Sequence, residues 1–194
     1  MNKENLDCFP LSKERTIKGS RKLAREKAMQ VIIAQDVSGA DWEKIFDHVF
    51  FRIFTFDTDK KKPTRLLTPD EIFELEADLP INWDSKEIEY GRSIIINAID
   101  LKEFVDKMLV EFVENWELNR ITLIDKILIR IAVTEFLRFQ EIPIKVSINE
   151  AIEIGKKYST YKSGIFINGM LDKFLEKLRS QNLIVKTGRG LVEI

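Results

Sequence analysis

The stretch TLIDKILIRIAVTEFL (122–137) places Leu123, Ile124, Ile127, Leu128, Ile131, Ala132, Phe136 and Leu137 on nearly every side of a helix. A helix with so little polar surface is stable only when other elements surround it. Thr122 stands before it as a helix cap. The rest of the chain is therefore read as what packs around this rod.

Upstream, Ile94, Ala98, Leu101, Val105, Met108 and Phe112 recur at alternating four- and three-residue spacing, which predicts one long helix from Ser85 to Asn115 with a core-facing seam. Downstream, Pro143 separates the central segment from SINE (147–150), a capping-box pattern predicting a helix with Ile148, Ala151, Ile152 and Gly155 on one side. YSTYKSG (158–164) reads as a turn. Phe166, Ile167, Met170, Leu171, Phe174, Leu175 and Leu178 then mark a last amphipathic helix.

Near the amino terminus, Ser20 is suited to cap a helix running to about Asp36, with Ala24, Ala28, Val31 and Ile32 inward. An aromatic-rich helix follows through Phe56, in which His48 is expected to pack among Phe46, Val49 and Phe50. TPDE (68–71) predicts a short helix from Pro69 to about Asp78. The tail NLIVKTGRGLVEI is left between a short hairpin near Gly188–Gly190 and a loose end. Seven helical segments against at most two weak strands make the class all-α.

At 194 residues and 44% apolar content the chain can build an ordinary core. No run approaches the ~18 apolar residues of a membrane helix, and the first residues lack a signal-peptide core, so a cytoplasmic protein is expected. With a single cysteine, Cys8, and a single histidine, His48, a metal centre or a Cys/His active site is not expected. Neither a phosphate-binding glycine loop nor a cofactor motif is present. The residues argue against an enzyme and call for no cofactor.

Charge is balanced overall, 31 basic against 32 acidic, but not locally. Between positions 13 and 27 stand seven basic residues and two acidic ones, whereas 70–89 hold eight acidic and one basic. Lys18, Arg21, Lys22 and Arg25 are spaced to form one stripe if helical geometry reaches back past Gly19, and Lys27 flanks it. Cations in a first helical turn oppose the macrodipole, and phosphates at that end would offset the repulsion. A solvated charged face is the alternative reading of the same spacing.

The carboxyl half gives the stripe a context. LIRIAVTEF (128–136), IPIKVSINEAIEIGKKY (142–158) and FINGMLD (166–172) closely resemble, in order, three motifs of the bacterial transcription antitermination factor NusB family, and RKLAREKAMQ (21–30) is similar to its arginine-rich opening. Leu23, Thr134 and Gly155 depart from the family pattern, where a basic residue, a tyrosine and an alanine are common. The resemblance implies an all-helical fold of two small lobes, about seven helices, over residues 20–178; the polar residues 1–19 read as a flexible arm, and the acidic insert at about 57–84 and the extension at 179–194 are longer than the family core.

It also implies binding of boxA RNA from ribosomal RNA leaders, together with the ribosomal protein NusE, on elongating RNA polymerase. Arg21, Lys22 and Arg25, with Lys18 and Lys27, are then expected to face phosphates. Tyr158, Tyr161, Lys162 and Phe166 are expected to supply stacking and base-edge contacts. Tyr90 and Arg92 match a Y-x-R opening of the middle helix and are candidates for facing RNA or NusE. Family members include monomers and homodimers, so oligomeric state stays open. Two other readings remain at this point: an RNA-binding domain related to ribosomal RNA cytosine methyltransferases, and a protein-interaction scaffold without RNA binding.

Overall fold

A computed structural model describes residues 17–51, 80–113 and 121–191. The expected helix at Pro69–Asp78, most of the acidic insert, the last turn before Phe56 and the arm up to residue 16 lie outside the described residues. Among the described residues there are seven α-helices: α1 (Arg21–Ser38), α2 (Trp42–Phe51), α3 (Ser85–Asp100), α4 (Lys102–Phe112), α5 (Leu123–Arg138), α6 (Ile144–Tyr158) and α7 (Ser163–Ser180).

The all-round apolar segment is α5, and it occupies the centre. Ile127, Leu128, Ile129, Val133 and Phe136 are fully buried, each contributing roughly 1.5–3 kcal/mol relative to exposure. Helices α1, α2 and α3 pack into one lobe against it, and α6 and α7 form the other, with α4 leaning on α7. Phe46 stacks on Phe50 in the first lobe, and Phe112 meets Phe174 edge to face in the second. Among the described residues no helix is long and apolar enough to cross a membrane.

Several expectations are corrected. The long helix predicted from Ser85 breaks at Leu101, which adopts φ −85°, ψ 2°. Its apolar seam is continuous, but the two halves serve different lobes: α3 lies along α1, whereas α4 turns toward α7. Asp84 and Glu87 form a reciprocal capping box that starts α3. SINE does not cap. Helix α6 begins at Ile144 directly after Pro143, whose fixed φ suits a helix start, so Ser147 lies buried inside the helix. His48 is exposed on α2 instead of packed.

The only strands described are two residues each, Ile17–Lys18 (β1) and Ile81–Asn82 (β2), paired in parallel. They tie the residues entering α1 to those entering α3. Gly19 is needed there, because a Cβ would meet the Trp83 ring at 2.8 Å and Asn82 O at 3.0 Å.

The carboxyl segment is neither hairpin nor loose tail. Residues 183–187 have no regular secondary structure and lead into a short 3-10 turn, Gly188–Leu191. Lys186 is buried and its Nζ donates to the main-chain oxygens of Glu135 and Phe139, both at 2.9 Å, adding a second donor to each at the carboxyl end of α5, beside the longer backbone bonds from Phe139 N and Ile142 N. Burial lowers the Lys186 pKa, with Glu135 and Glu141 acting the other way. Gly190 comes so near the chain that a Cβ would lie 2.0 Å from Gln140 O.

Candidate nucleic-acid interface

Ser20 caps α1 as expected, its Oγ accepting from Leu23 N at 3.1 Å. Arg21 and Lys22 follow on the exposed first turn, and no acidic residue shares that turn. The guanidinium of Arg21 lies over the Tyr90 ring, 5.1 Å from its centroid, a cation–π contact that offsets part of the dipole repulsion. Lys18 is exposed but belongs to β1, so it flanks the helical stripe and does not continue it. Lys27 is half-buried and donates to Gln30 Oε1 at 3.3 Å.

Arg25 leaves the stripe. It is 4% exposed, and its Nε donates to Glu135 Oε1 at 2.8 Å. Tyr90, also buried, donates its hydroxyl to the same oxygen, and Arg25 Nη1 lies 3.7 Å from Glu150 Oε2. Burial opposes the Arg25 charge, but Glu135, Tyr90 and Glu150 more than offset it and hold its pKa raised. Burial is also the main cause holding the Tyr90 hydroxyl pKa up, followed by the Glu135 carboxylate. A phosphate cannot reach Arg25 without displacing this network. Nor is Tyr90 available to a partner surface.

Arg25, Tyr90, Glu135 and Glu150 come from α1, α3, α5 and α6, so the network fastens four helices at one point. They also belong to the segments that carried the resemblance. Those motifs therefore mark a buried electrostatic joint before they mark a surface.

The joint sets where the exposed cations stand. The next residue, Glu26, accepts from Lys157 Nζ at 2.8 Å and from the Tyr158 hydroxyl, bridging α1 to the end of α6. Lys157 also lies over the Tyr158 ring at 4.8 Å. Its pKa is raised, first by the Glu26 hydrogen bond. Tyr158 is raised by burial and by the same carboxylate. Lys156 pairs with Glu153 at 2.8 Å, and Lys22 is near enough to lower the Glu153 pKa further, after Lys156. The basic start of α1 and the end of α6 are thus neighbours, and the turn into α7 follows.

In that turn Tyr161 is 93% exposed and Lys162 is exposed, while Phe166, half-buried, shares a groove with both. The structure therefore links Lys22 and Tyr158 across α1 and α6, through Glu153 and Glu26, and sets Tyr161, Lys162 and Phe166 on one groove beside the turn into α7, while Arg21 lies over Tyr90. Among the described residues, no carboxylate is paired with Arg21, Lys22 or Lys162. Arg92 points elsewhere, lying 4.6 Å from the Phe46 ring centroid and 3.8 Å from Glu43, on the α2 side. Lys156 and Lys157 were missed from sequence, where cations in a last helical turn are sufficiently explained by the macrodipole.

The family model for NusB matches residues 22–176, from the first turn of α1 to the last turns of α7. The chain belongs to the NusB family. A transcription antitermination protein NusB of Salinibacter ruber is 34% identical over 173 residues, 89% of this chain and 91% of that protein. One from Clostridium botulinum is 34% identical over 158 residues, 81% of this chain and 99% of that protein. Among solved structures, T. maritima NusB superposes with a TM-score of 0.61 at 26% identity, covering 83% of this chain and 94% of that one. A structure of NusB and NusE in complex with dsRNA shares the fold, with a TM-score of 0.57 at 18% identity over 81% of this chain and 96% of that one. The NusB match ends inside α7, so the segment that closes the carboxyl end of α5 lies beyond it.

Proposed function

We propose that this chain is an RNA-binding transcription antitermination factor that holds boxA RNA together with NusE and keeps it on elongating RNA polymerase. The observation that supports the reading is that the exposed basic start of α1, Arg21 and Lys22, is held against the end of α6 through Glu26 with Lys157 and Tyr158 and through Lys22 beside Glu153, next to the turn that carries Tyr161 and Lys162. Cations there meet phosphates, and the exposed Tyr161 ring suits an unstacked base of single-stranded RNA. The names of the relatives and the solved complex of NusB with NusE and RNA support the same partners. The work is tethering, and no step of it asks for catalysis.

Titrating the full chain with a boxA RNA and with a scrambled RNA, with and without NusE, tests the reading. Tighter binding of boxA, and a further gain when NusE is added, are expected. Equal affinity for the two RNAs in the presence of NusE would contradict the proposal and favour the scaffold reading.

A further inference from the structure

A carboxylate has the wrong charge for a surface that seats phosphates, yet Glu26 lies there, 8% exposed. Its Oε1 accepts both from Lys157 Nζ at 2.8 Å and from the Tyr158 hydroxyl, so one oxygen of α1 holds two consecutive side chains at the end of α6. Lys157 keeps 59% of its side chain exposed, while its Nζ lies 4.8 Å from the centroid of the Tyr158 ring. The ammonium is therefore fixed by a carboxylate and a ring but stays at the surface. It carries three donors, more than Glu26 and the Tyr158 hydroxyl use.

The geometry points to Glu26 as a positioning residue for RNA: with Tyr158 it presents the Lys157 ammonium, already oriented, to a phosphate of the strand. The inference rests on the RNA-binding function proposed above. A surface lysine loses rotamer freedom when it meets a phosphate, and holding it in place beforehand spares an ordering cost equivalent to about two- to tenfold in affinity. Lys156 supplies the contrast. It pairs with Glu153 at 2.8 Å, but both side chains are more than half exposed, so that pair holds neither partner firmly.

Charge and position make opposite predictions at Glu26. Removing a carboxylate beside an RNA surface should by its charge alone tighten binding. Losing the oriented ammonium should weaken it. Full-length variants titrated with a boxA RNA in the presence of NusE, at low salt and then across a salt series, decide between the two. Glu26→Ala should bind about fivefold more weakly than wild type with a salt slope shallower by about 0.7, and Lys157→Ala should match it. On the Lys157→Ala background, Glu26→Ala should cost nothing further. Glu26→Gln, whose amide oxygen can accept the same two hydrogen bonds, should stay within about twofold of wild type.

Circular dichroism and the urea midpoint show whether each variant is folded in the assay. If Glu26→Ala is not, Tyr158→Phe takes its place, because it removes only the hydroxyl that Glu26 holds; its loss of about twofold should again vanish without Lys157. Unchanged or tighter binding by Glu26→Ala would overturn the inference. So would a loss that persists on the Lys157→Ala background, which would leave Glu26 a support of the fold alone, or a Glu26→Gln variant as weak as Glu26→Ala. If these variants bind like wild type while boxA RNA is still preferred over a scrambled RNA, only the positioning of Lys157 is lost. If the same losses appear with the scrambled RNA and boxA is not preferred, the positioning stands and the antitermination reading falls.

Discussion

Arg25→Ala should lower the unfolding free energy by about 3–5 kcal/mol, the scale for removing one partner of a buried ion pair. The Glu135 carboxylate has no exposed surface, one of its oxygens is already without a partner, and Arg25 is its charged neighbour at 2.8 Å. Without the guanidinium, the Tyr90 hydroxyl is left as its side-chain hydrogen-bond donor, and α1, α3, α5 and α6 lose their common fastening. Arg25→Lys keeps the charge but not the planar fork, and should fall between wild type and the alanine variant. Urea midpoints at neutral pH read all three. A stability change below about 1 kcal/mol with a selective loss of RNA affinity would mean that Arg25 turns outward to phosphate, against the burial described above.

The paired substitution Arg21→Ala/Lys22→Ala should do the reverse. Both side chains are exposed, so stability should stay within about 1 kcal/mol; losing the Arg21–Tyr90 contact is set against relief of charge at the positive end of α1. RNA affinity should fall by roughly tenfold at low salt, and the plot of log affinity against log salt should become shallower by about 1.4, since each lost contact to single-stranded RNA contributes about 0.7. An unchanged slope would remove these residues from the RNA surface while leaving the rest of it in place. The contrast between the two experiments separates a joint from an interface: basic residues on one helix, three and four positions apart, with opposite consequences.

That contrast was partly legible in the sequence. Arg25 shares its helical face with Ala28, Met29 and Ile32, so a charge among apolar neighbours already asked for a buried partner, and Glu135 is one of the few charges inside the largely apolar central helix. Counting charge along the stripe without asking which face they occupied hid the pairing. The break at Leu101 gave no signal, because its apolar spacing continues unbroken and the bend depends on which lobe each half meets. SINE misled because a capping pattern is local, and a proline four residues earlier sets the start first. Lys186 was unreadable: nothing in NLIVKTG announces that a lysine will close the end of a helix some fifty residues back. Most of the described helices were clear, since the flanking ones carry a 3.6-residue apolar period and the central one is apolar nearly all round. At Gly155 the structure supplies a reason for a departure from the family pattern: a Cβ there would lie 2.5 Å from Ile167 Cδ1, so Ile167 occupies the space that alanine would need.

The central claim is that RNA lies across the junction of α1, α6 and α7, and photo-crosslinking tests it most directly. A boxA RNA carrying 4-thiouridine, irradiated with the full chain and NusE and mapped by mass spectrometry, should attach to peptides containing Tyr158, Tyr161 or Phe166, and a scrambled RNA should label them far less. Attachment confined to α2 and α4, with none on residues 156–166, would contradict the account.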